Sequence, residues 1–422
     1  MEQNKNKVAM PTDLKIKNRR KILSAFRKTA GRQVTLNEIS DLTGISRQTI
    51  MKSMGFFLDM GIITNLGKGT SSELGGKRPE LYQFHNGYRY VLCVRLGHRS
   101  LLVAMVNLQM EVVAKLSMEH NRNEGLEVIM EHFSMLYQKL LEETGISESQ
   151  ILGAGVCLSG VCNQSTGIMR YNSVYPSWGR DIPIVEVFRK ALPEHFKVLI
   201  TNETKLTAMA ELYFDRTLSD KRAVVLLTHG GGISAAYVNY GRVVDGAHAL
   251  AGEIGHMTVD PYSDKLCECG LTGCLEKVVS EESLLEKLQQ GALEHKDSVL
   301  IPFLQKGQYA LGEVVKEMAL AADAGDELAL IVTDYMARFM SIGLKNILLN
   351  LDPDCLIIQG FHSNNGRAYS ECIKKYFSCF KYFKEDVDME IVYDSRDINE
   401  LAVLGTGYTL LEKYFAQDEL YL

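Results

Sequence analysis

Read from its first residues, the chain alternates between two hydrophobic rhythms. From Ile16 to Leu58 apolar residues recur at helical spacing, with Ile16, Leu23 and Phe26 on one face and Arg19, Arg20 and Arg27 on the other. A short second helix follows a Thr35 cap, through Leu36, Ile39 and Leu42, and ends in a turn at Thr43–Gly44. A third follows a Ser46 cap, with Ile50, Met54, Phe57 and Leu58 at i, i+4, i+7 and i+8. Helix, short helix, glycine turn and capped helix predict a helix-turn-helix. Ser46, Arg47, Gln48, Thr49 and Lys52 would stand at the N-terminal end of its last helix, where base edges are reached in the major groove. Gly55 within that helix costs about 1 kcal/mol relative to Ala. Residues 62–66 and 80–84 then read as two strands around a loop whose Lys77 and Arg78 suit a phosphate or a narrow minor groove, which makes a wing. Residues 1–15 are polar and are expected to be disordered.

From Tyr90 the rhythm becomes that of strands. YVLCVRLG, LLVAMVNL and EVVAKLSM precede an amphipathic helix (125–143) and the strand ILGAGVCLSG, the opening of an α/β body. A loop with Asn172 and the single tryptophan, Trp178, follows; a lone tryptophan is usually core, but the polar, proline-bearing loop favours a pocket-lining role for Trp178. The strand 197–201 ends at Asn202-Glu203, where ligands bind in α/β folds, although a glutamate is equally at home in the first turn of the helix that follows. His229 and three glycines separate two strands and suit either an anion or a tight hairpin. The remainder is mainly helical (281–290, 311–322, 326–350, 366–380), with strands at 355–360 and 389–394 and a last helix from Leu401. In outline, the two halves of the body look alike. The domains are set at 1–86, at 87–203 with 401–422 returning to it, and at 204–400, the last carrying dimerisation helices.

Charge changes this picture. The net charge of −6 hides +9 over residues 1–90 and −15 over the rest, as expected for a basic module that meets a polyanion on a body that does not. No apolar run approaches the roughly 20 residues of a membrane span, and no signal-peptide pattern opens the chain. Nine cysteines without a disulfide pattern point to a reducing, cytoplasmic setting.

The densest chemistry lies in residues 251–276, AGEIGHMTVDPYSDKLCECGLTGCLE. His256, Cys267, Cys269 and Cys274 offer four ligands of the kind zinc takes tetrahedrally, and four protein ligands make a structural site. Such a clasp would fix Glu253, Glu276 and the free edge of His256, a set suited to the hydroxyls of a sugar ring.

GEIGH followed by CxCGxxGCLE resembles the ROK family (repressors, open reading frames, sugar kinases), and the resemblance runs from about Ile16 to the end. It implies a two-lobed actin/hexokinase-like, ribonuclease H-like body behind a winged helix-turn-helix. It also implies sugar contacts from Asn172, Asn202, Glu253, His256 and Glu276, and zinc on His256, Cys267, Cys269 and Cys274. Where the family's kinases carry a DxGGT-like phosphate loop, this chain reads Arg95-Leu96-Gly97-His98-Arg99. Where they carry the catalytic aspartate, it has Glu203, and a displacement of about 1 Å can cost on the order of 100-fold in rate. The expectation is therefore a repressor of sugar-utilisation genes, xylose among the candidates, acting on a double-stranded operator as a homodimer or homotetramer and released by a carbohydrate effector. The alternatives are an ATP-dependent sugar kinase with an attached DNA-binding domain, and a regulator triggered by a phosphotransferase protein.

Overall fold

The structure is a computed structural model and describes residues 11–69, 78–121, 123–172, 174–229, 231–310, 312–379 and 389–422. Three helices, α1 (Pro11–Lys28), α2 (Leu36–Thr43) and α3 (Arg47–Asp59), open the chain. Each boundary has a local cause. Thr35 and Glu38 form a reciprocal capping box on α2, Gly44 ends that helix in the left-handed region, and the Ser46 hydroxyl accepts from the Thr49 N–H to start α3. The expectation of disorder up to residue 15 is corrected at residues 11–15. Pro11 is pre-set for a first helical position and Asp13 lies in the first turn, so the helix starts earlier than its apolar stripe.

Strands β1 (Ile63–Lys68) and β2 (Glu80–Phe84) pair antiparallel with a bulge between Asn65 and Gly67. Val34 and Tyr82 exchange backbone hydrogen bonds of 2.9 and 2.8 Å, which ties the α1–α2 connection to the wing. Lys77, at the expected wing tip, lies outside the described residues; Arg78 is exposed.

The body contains two sheets with the same order and directions. The first runs β5 (Val112–Glu119), β4 (Ser100–Asn107), β3 (Tyr90–Leu96), β6 (Ile151–Leu158), β9 (Lys197–Asn202). The second runs β12 (Arg242–Val243), β11 (Gly232–Asn239), β10 (Arg222–His229), β13 (Cys355–Gly360), β14 (Glu390–Asp394). In both, three antiparallel strands are followed by two parallel ones. The central strands are covered on both faces, which is why they read as near-continuous apolar runs. A small hairpin, β7 (Val161–Asn163) with β8 (Ile168–Tyr171), leaves the first sheet after β6.

α4 (Leu126–Thr144) and α5 (Ile184–Arg189) serve the first lobe. α7 (Leu275–Val278), α8 (Glu281–Gly291), α9 (Ile301–Leu304), α10 (Glu313–Asp323), α11 (Glu327–Leu351) and α12 (Gly366–Ser378) build the outer layer of the second. Two helices are shared. α6 (Glu203–Phe214) lies on the second sheet through Ala208 and Leu212, and α13 (Ile398–Phe415) lies on the first through β3 and β6. They pack on each other so closely that a Cβ on Gly405 would stand 1.8 Å from the Leu206 carbonyl oxygen. α13 begins at Ile398, one turn before the expected Leu401, because Asp397 caps it through the Asn399 N–H.

The head is built into this seam. One hydrophobic cluster holds Ile22, Leu23 and Phe26 of α1 together with Leu404, Leu411, Phe415 and Tyr421. The arginines read as the solvent face of α1 turn out to hold the body. Arg19 is buried, donates to the Tyr421 and Leu422 carbonyls at 2.8 Å each, and lies 3.6 Å over the Phe56 ring. Arg20 pairs with Asp418 at 2.5 Å and Arg27 with Glu412 at 3.3 Å. Part of the basic excess of the head is thus neutralised by the acidic C-terminal segment.

Replacing Tyr421 with Ala removes a fully buried ring from this shared core, a loss on the order of 3 kcal/mol. Calorimetry should show head and body melting together at a lower temperature, since they share this core. A single unshifted transition would show that the head does not lean on this segment.

Candidate functional site

A cavity of about 420 Å³ opens between the lobes, outside the carboxyl ends of β6, β9 and β10, where open α/β sheets receive ligands. Its first wall comes from Gly160, Asn202, Tyr171 and Arg180, and its second from the β10–β11 hairpin and the segment with Glu253, His256 and Glu276. Both carboxylates and the imidazole therefore face one space. Gly255 makes this possible, since a Cβ there would meet the Ile233 carbonyl at 2.3 Å and the Glu276 Oε2 at 2.8 Å. Burial keeps the Glu253 carboxyl above its ordinary value, although His256 works against it. Asn202 accepts from the Thr204 N–H at 2.9 Å and donates to the Gly160 carbonyl at 2.8 Å, bridging the start of α6 to the first wall.

Two expected residues sit elsewhere. Asn172 does not line the cavity: its fully buried amide accepts from the Val174 N–H at 2.8 Å and faces the Met169 sulfur at 3.7 Å. Trp178 is core rather than pocket. It stacks on Tyr175 at 4.2 Å and donates from its indole to the Glu124 carbonyl at 2.9 Å, so the buried N–H is satisfied. After His229 the chain forms a hairpin in which His229 pairs with Gly232.

Beneath the second wall, His256, Cys267, Cys269 and Cys274 bring one ligand atom each to within 4.8 Å of the others. Cys267 Sγ lies 3.4 Å from His256 Nδ1, and Cys269 Sγ lies 3.5 Å from Cys274 Sγ. Tetrahedral bonds of about 2.0–2.3 Å imply ligand–ligand edges of roughly 3.5–3.8 Å, so the spacing suits a metal ion. Nδ1 is the nitrogen that faces the sulfurs, leaving Nε2 for another partner.

Glu203 is at once the last residue before the cleft and the first of α6, and it does not stand free. Arg95 Nε donates to its Oε1 at 2.6 Å, and Arg95 Nη2 lies 2.5 Å from the same oxygen. The guanidinium also donates to Asn399 Oδ1 at 2.8 Å and toward His229 Nε2 at 3.3 Å. Both members of the pair are buried. Burial alone would raise the Glu203 carboxyl; the charges of Arg95 and His229, with hydrogen bonds from Arg95 and Ser159, outweigh it and hold the group below its ordinary value. In the sequence Arg95 stands out only as a departure from the kinases' phosphate loop. The signal for more was a lone charge in the apolar strand YVLCVRL, which a buried position tolerates only with a partner.

On the head, Ser46, Arg47, Gln48 and Lys52 are exposed and Thr49 is half-buried. Met51 and Gly55 share their face, also exposed, and no atom lies within 4 Å of a Cβ built on Gly55. The helix-period rule that found the buried stripe also marks these two, but neither carries a charge to draw the eye.

The ion pair sets a pH prediction. The Glu203 carboxyl is depressed, so its stabilisation is present above about pH 4.3, the ordinary glutamate value, and is lost as pH falls through its folded value. Glu203→Gln should flatten that acid limb in denaturant melts. At neutral pH it leaves Arg95 buried and unpaired, which costs about 3–5 kcal/mol. An unchanged acid limb would mean that the pair contributes nothing.

Residues 91–412 match the ROK family, and residues 17–64 match the winged helix-turn-helix DNA-binding family. A glucokinase of Halalkalibacterium halodurans is 30% identical over 294 residues, covering 69% of this chain and 86% of that protein. The xylose repressor of Bacillus subtilis is 24% identical over 358 residues, covering 83% and 84%. A solved ROK family transcriptional regulator, described as a homolog of the Escherichia coli MLC protein, shares the fold over 96% of this chain and 99% of its own, with a TM-score of 0.75 at 19% identity. With the family match spanning most of the chain, and with a winged helix ahead of it, this protein belongs to the ROK family.

Proposed function

We propose that the protein is a sugar-responsive, DNA-binding repressor. One observation carries this reading: the winged helix and the kinase-like body share a single hydrophobic core through α1 and α13. A head merely tethered to an enzyme has no need of that. Arg47, Gln48, Thr49 and Lys52, at the start of a helix capped by Ser46, enter the major groove, and Lys77 and Arg78 meet the backbone beside it. Two heads on a homodimer, or two pairs on a tetramer, read a palindromic operator. The domains follow the boundaries 1–86, 87–203 with 401–422, and 204–400.

The effector is a carbohydrate. Glu253, Glu276 and His256 Nε2 accept from or bond to its hydroxyls, with Asn202 across the cleft. The metal is zinc, held by His256, Cys267, Cys269 and Cys274, and it acts as a clasp on the loop. The effector shifts the operator equilibrium only by binding one arrangement of lobes and head more tightly than the other. α6 and α13 both begin at the cleft, at Glu203 and at the Asn399 contact, and α13 ends in the head's core, so lobe closure reaches the head through them.

The second reading, an ATP-dependent sugar kinase, is favoured by the 30% identity to a glucokinase. Against it stands the Arg95–Glu203 pair. A general base must reach the proton it takes, and here its carboxylate is engaged by a guanidinium where the phosphate loop would open.

Mobility shifts on operator fragments, with and without a panel of sugars, test the first reading; absence of specific binding under every condition defeats it. Arg47→Ala should weaken specific binding by about 1–3 kcal/mol, and Lys77→Ala should weaken binding to all sequences alike. Sugar-dependent ADP release abolished by Glu203→Gln would instead establish the kinase. Cys267→Ala should lose zinc from elemental analysis together with stability of the loop, and zinc-free wild-type protein would contradict the clasp.

A further inference from the structure

A second cavity, of about 590 Å³, lies on the far side of α6 and α13 from the cleft, where the head meets both lobes. Arg27 and Lys28 of α1 enter it from the head and Gln109 from the β4–β5 turn. Tyr213 and Arg216 come from the end of α6 and just beyond, and Tyr408 comes from α13.

Its chemistry is the inverse of the cleft's. The cleft presents acceptors, carboxylates and an imidazole, to hydroxyl donors. The junction presents donors. Its two carboxylates are already engaged: Glu412 pairs with Arg27 at 3.3 Å, and Glu111 accepts from Asn86 at 2.9 Å and Asn107 at 2.6 Å. Lys28 and Arg216 are exposed, and no carboxylate lies within ion-pair distance of either among the described residues. The Gln109 side-chain NH₂ is buried without an acceptor. The Tyr213 and Tyr408 rings, with centroids 6.0 Å apart and planes tilted by 51°, add an aromatic wall with two facets. Unpaired cations, an orphaned amide donor and an aromatic wall together call for an acceptor-rich anion with a planar ring.

Position gives the site a consequence. α6 spans its 12 residues, about 18 Å, from the cleft to this cavity, and α13 runs beside it. An occupant here touches the head and the far ends of the two helices whose near ends meet the effector.

We propose that this junction is a second ligand site, for a small organic phosphate bearing an aromatic or heteroaromatic ring, and that its occupant clamps the head to the body. It is independent of the sugar reading and stands or falls separately. Phenyl phosphate is titrated into the full-length protein by calorimetry, beside inorganic phosphate and phenol. The expected result is one saturable site per chain, tighter for phenyl phosphate than for either part alone. Lys28→Ala with Arg216→Ala should weaken it tenfold or more, and both side chains are exposed, so the fold survives. Glu253→Ala, in the cleft, should leave it unchanged. Absence of saturable binding, equal affinity in the double variant, or inorganic phosphate binding as tightly overturns the proposal. So does a double variant whose ligand-free operator binding loses about two units of salt slope, which would assign the two cations to the DNA backbone.

Discussion

The contact on which the molecule depends is the close packing of α6 on α13. Each helix belongs to a different sheet, yet Gly405 lets their backbones touch at Leu206, where any side chain would hold them apart. Through that seam three bodies become one. The first sheet holds α13, the second holds α6, and the head buries α1 against the far end of α13. A polar lock reinforces the α6 side: Gln359 of β13 donates to Glu211 of α6 at 2.6 Å, and Arg396 reaches the same carboxylate at 2.5 Å. The two repeated sheets thus supply one wall each of the cleft, while the seam decides what a ligand can move.

The buried Arg95–Glu203 pair shows how a phosphotransfer scaffold can be turned to binding. Taking two charges out of water is costly, and their attraction offsets the cost only when the geometry is good and the remaining hydrogen bonds are made. Here they are. Arg95 satisfies Glu203 and spends its other donors on Asn399 and His229, so one side chain joins β3, α6, α13 and β10. A guanidinium in that place attracts the carboxylate that a kinase needs as a base. The same residue braces the junction of the lobes.

Much of this was legible before any coordinates. The winged helix could be read because its boundaries are set locally, by Thr35 with Glu38, by Gly44 and by Ser46, and local chemistry is what a sequence displays. The cluster of His256, Cys267, Cys269 and Cys274, which could hold a metal ion, was legible because its four residues fall within twenty positions. What sequence patterns missed was long-range pairing. Arg19, Arg20 and Arg27 have helical spacing and the look of a solvent face, but their partners lie some four hundred residues away, in a segment that no periodicity links to them. Trp178 was misread for the same reason, since polar neighbours in sequence say nothing of the Tyr175 ring it stacks on in space. Glu203 was judged by its place on a strand end, and the residue that defines its state is 108 positions earlier.

Magnitudes limit how an effector could use this frame. Moving a two-state equilibrium from 1:99 to 99:1 takes about 5.5 kcal/mol of differential affinity. The head cannot supply it by unfolding, because its core is continuous with α13 and is lost only with the seam. The differential must arise in the cleft, and only contacts that join its two walls count, since bonds to one wall persist in both arrangements. Hydrogen bonds to charged groups contribute about 1.5–3 kcal/mol each. Bonds to Glu253 and Glu276 on the second wall are common to both arrangements, so a ring would have to engage Arg180, Asn202 and Tyr171 on the first wall together to approach the required sum. A ligand small enough to touch one wall alone would bind and release nothing.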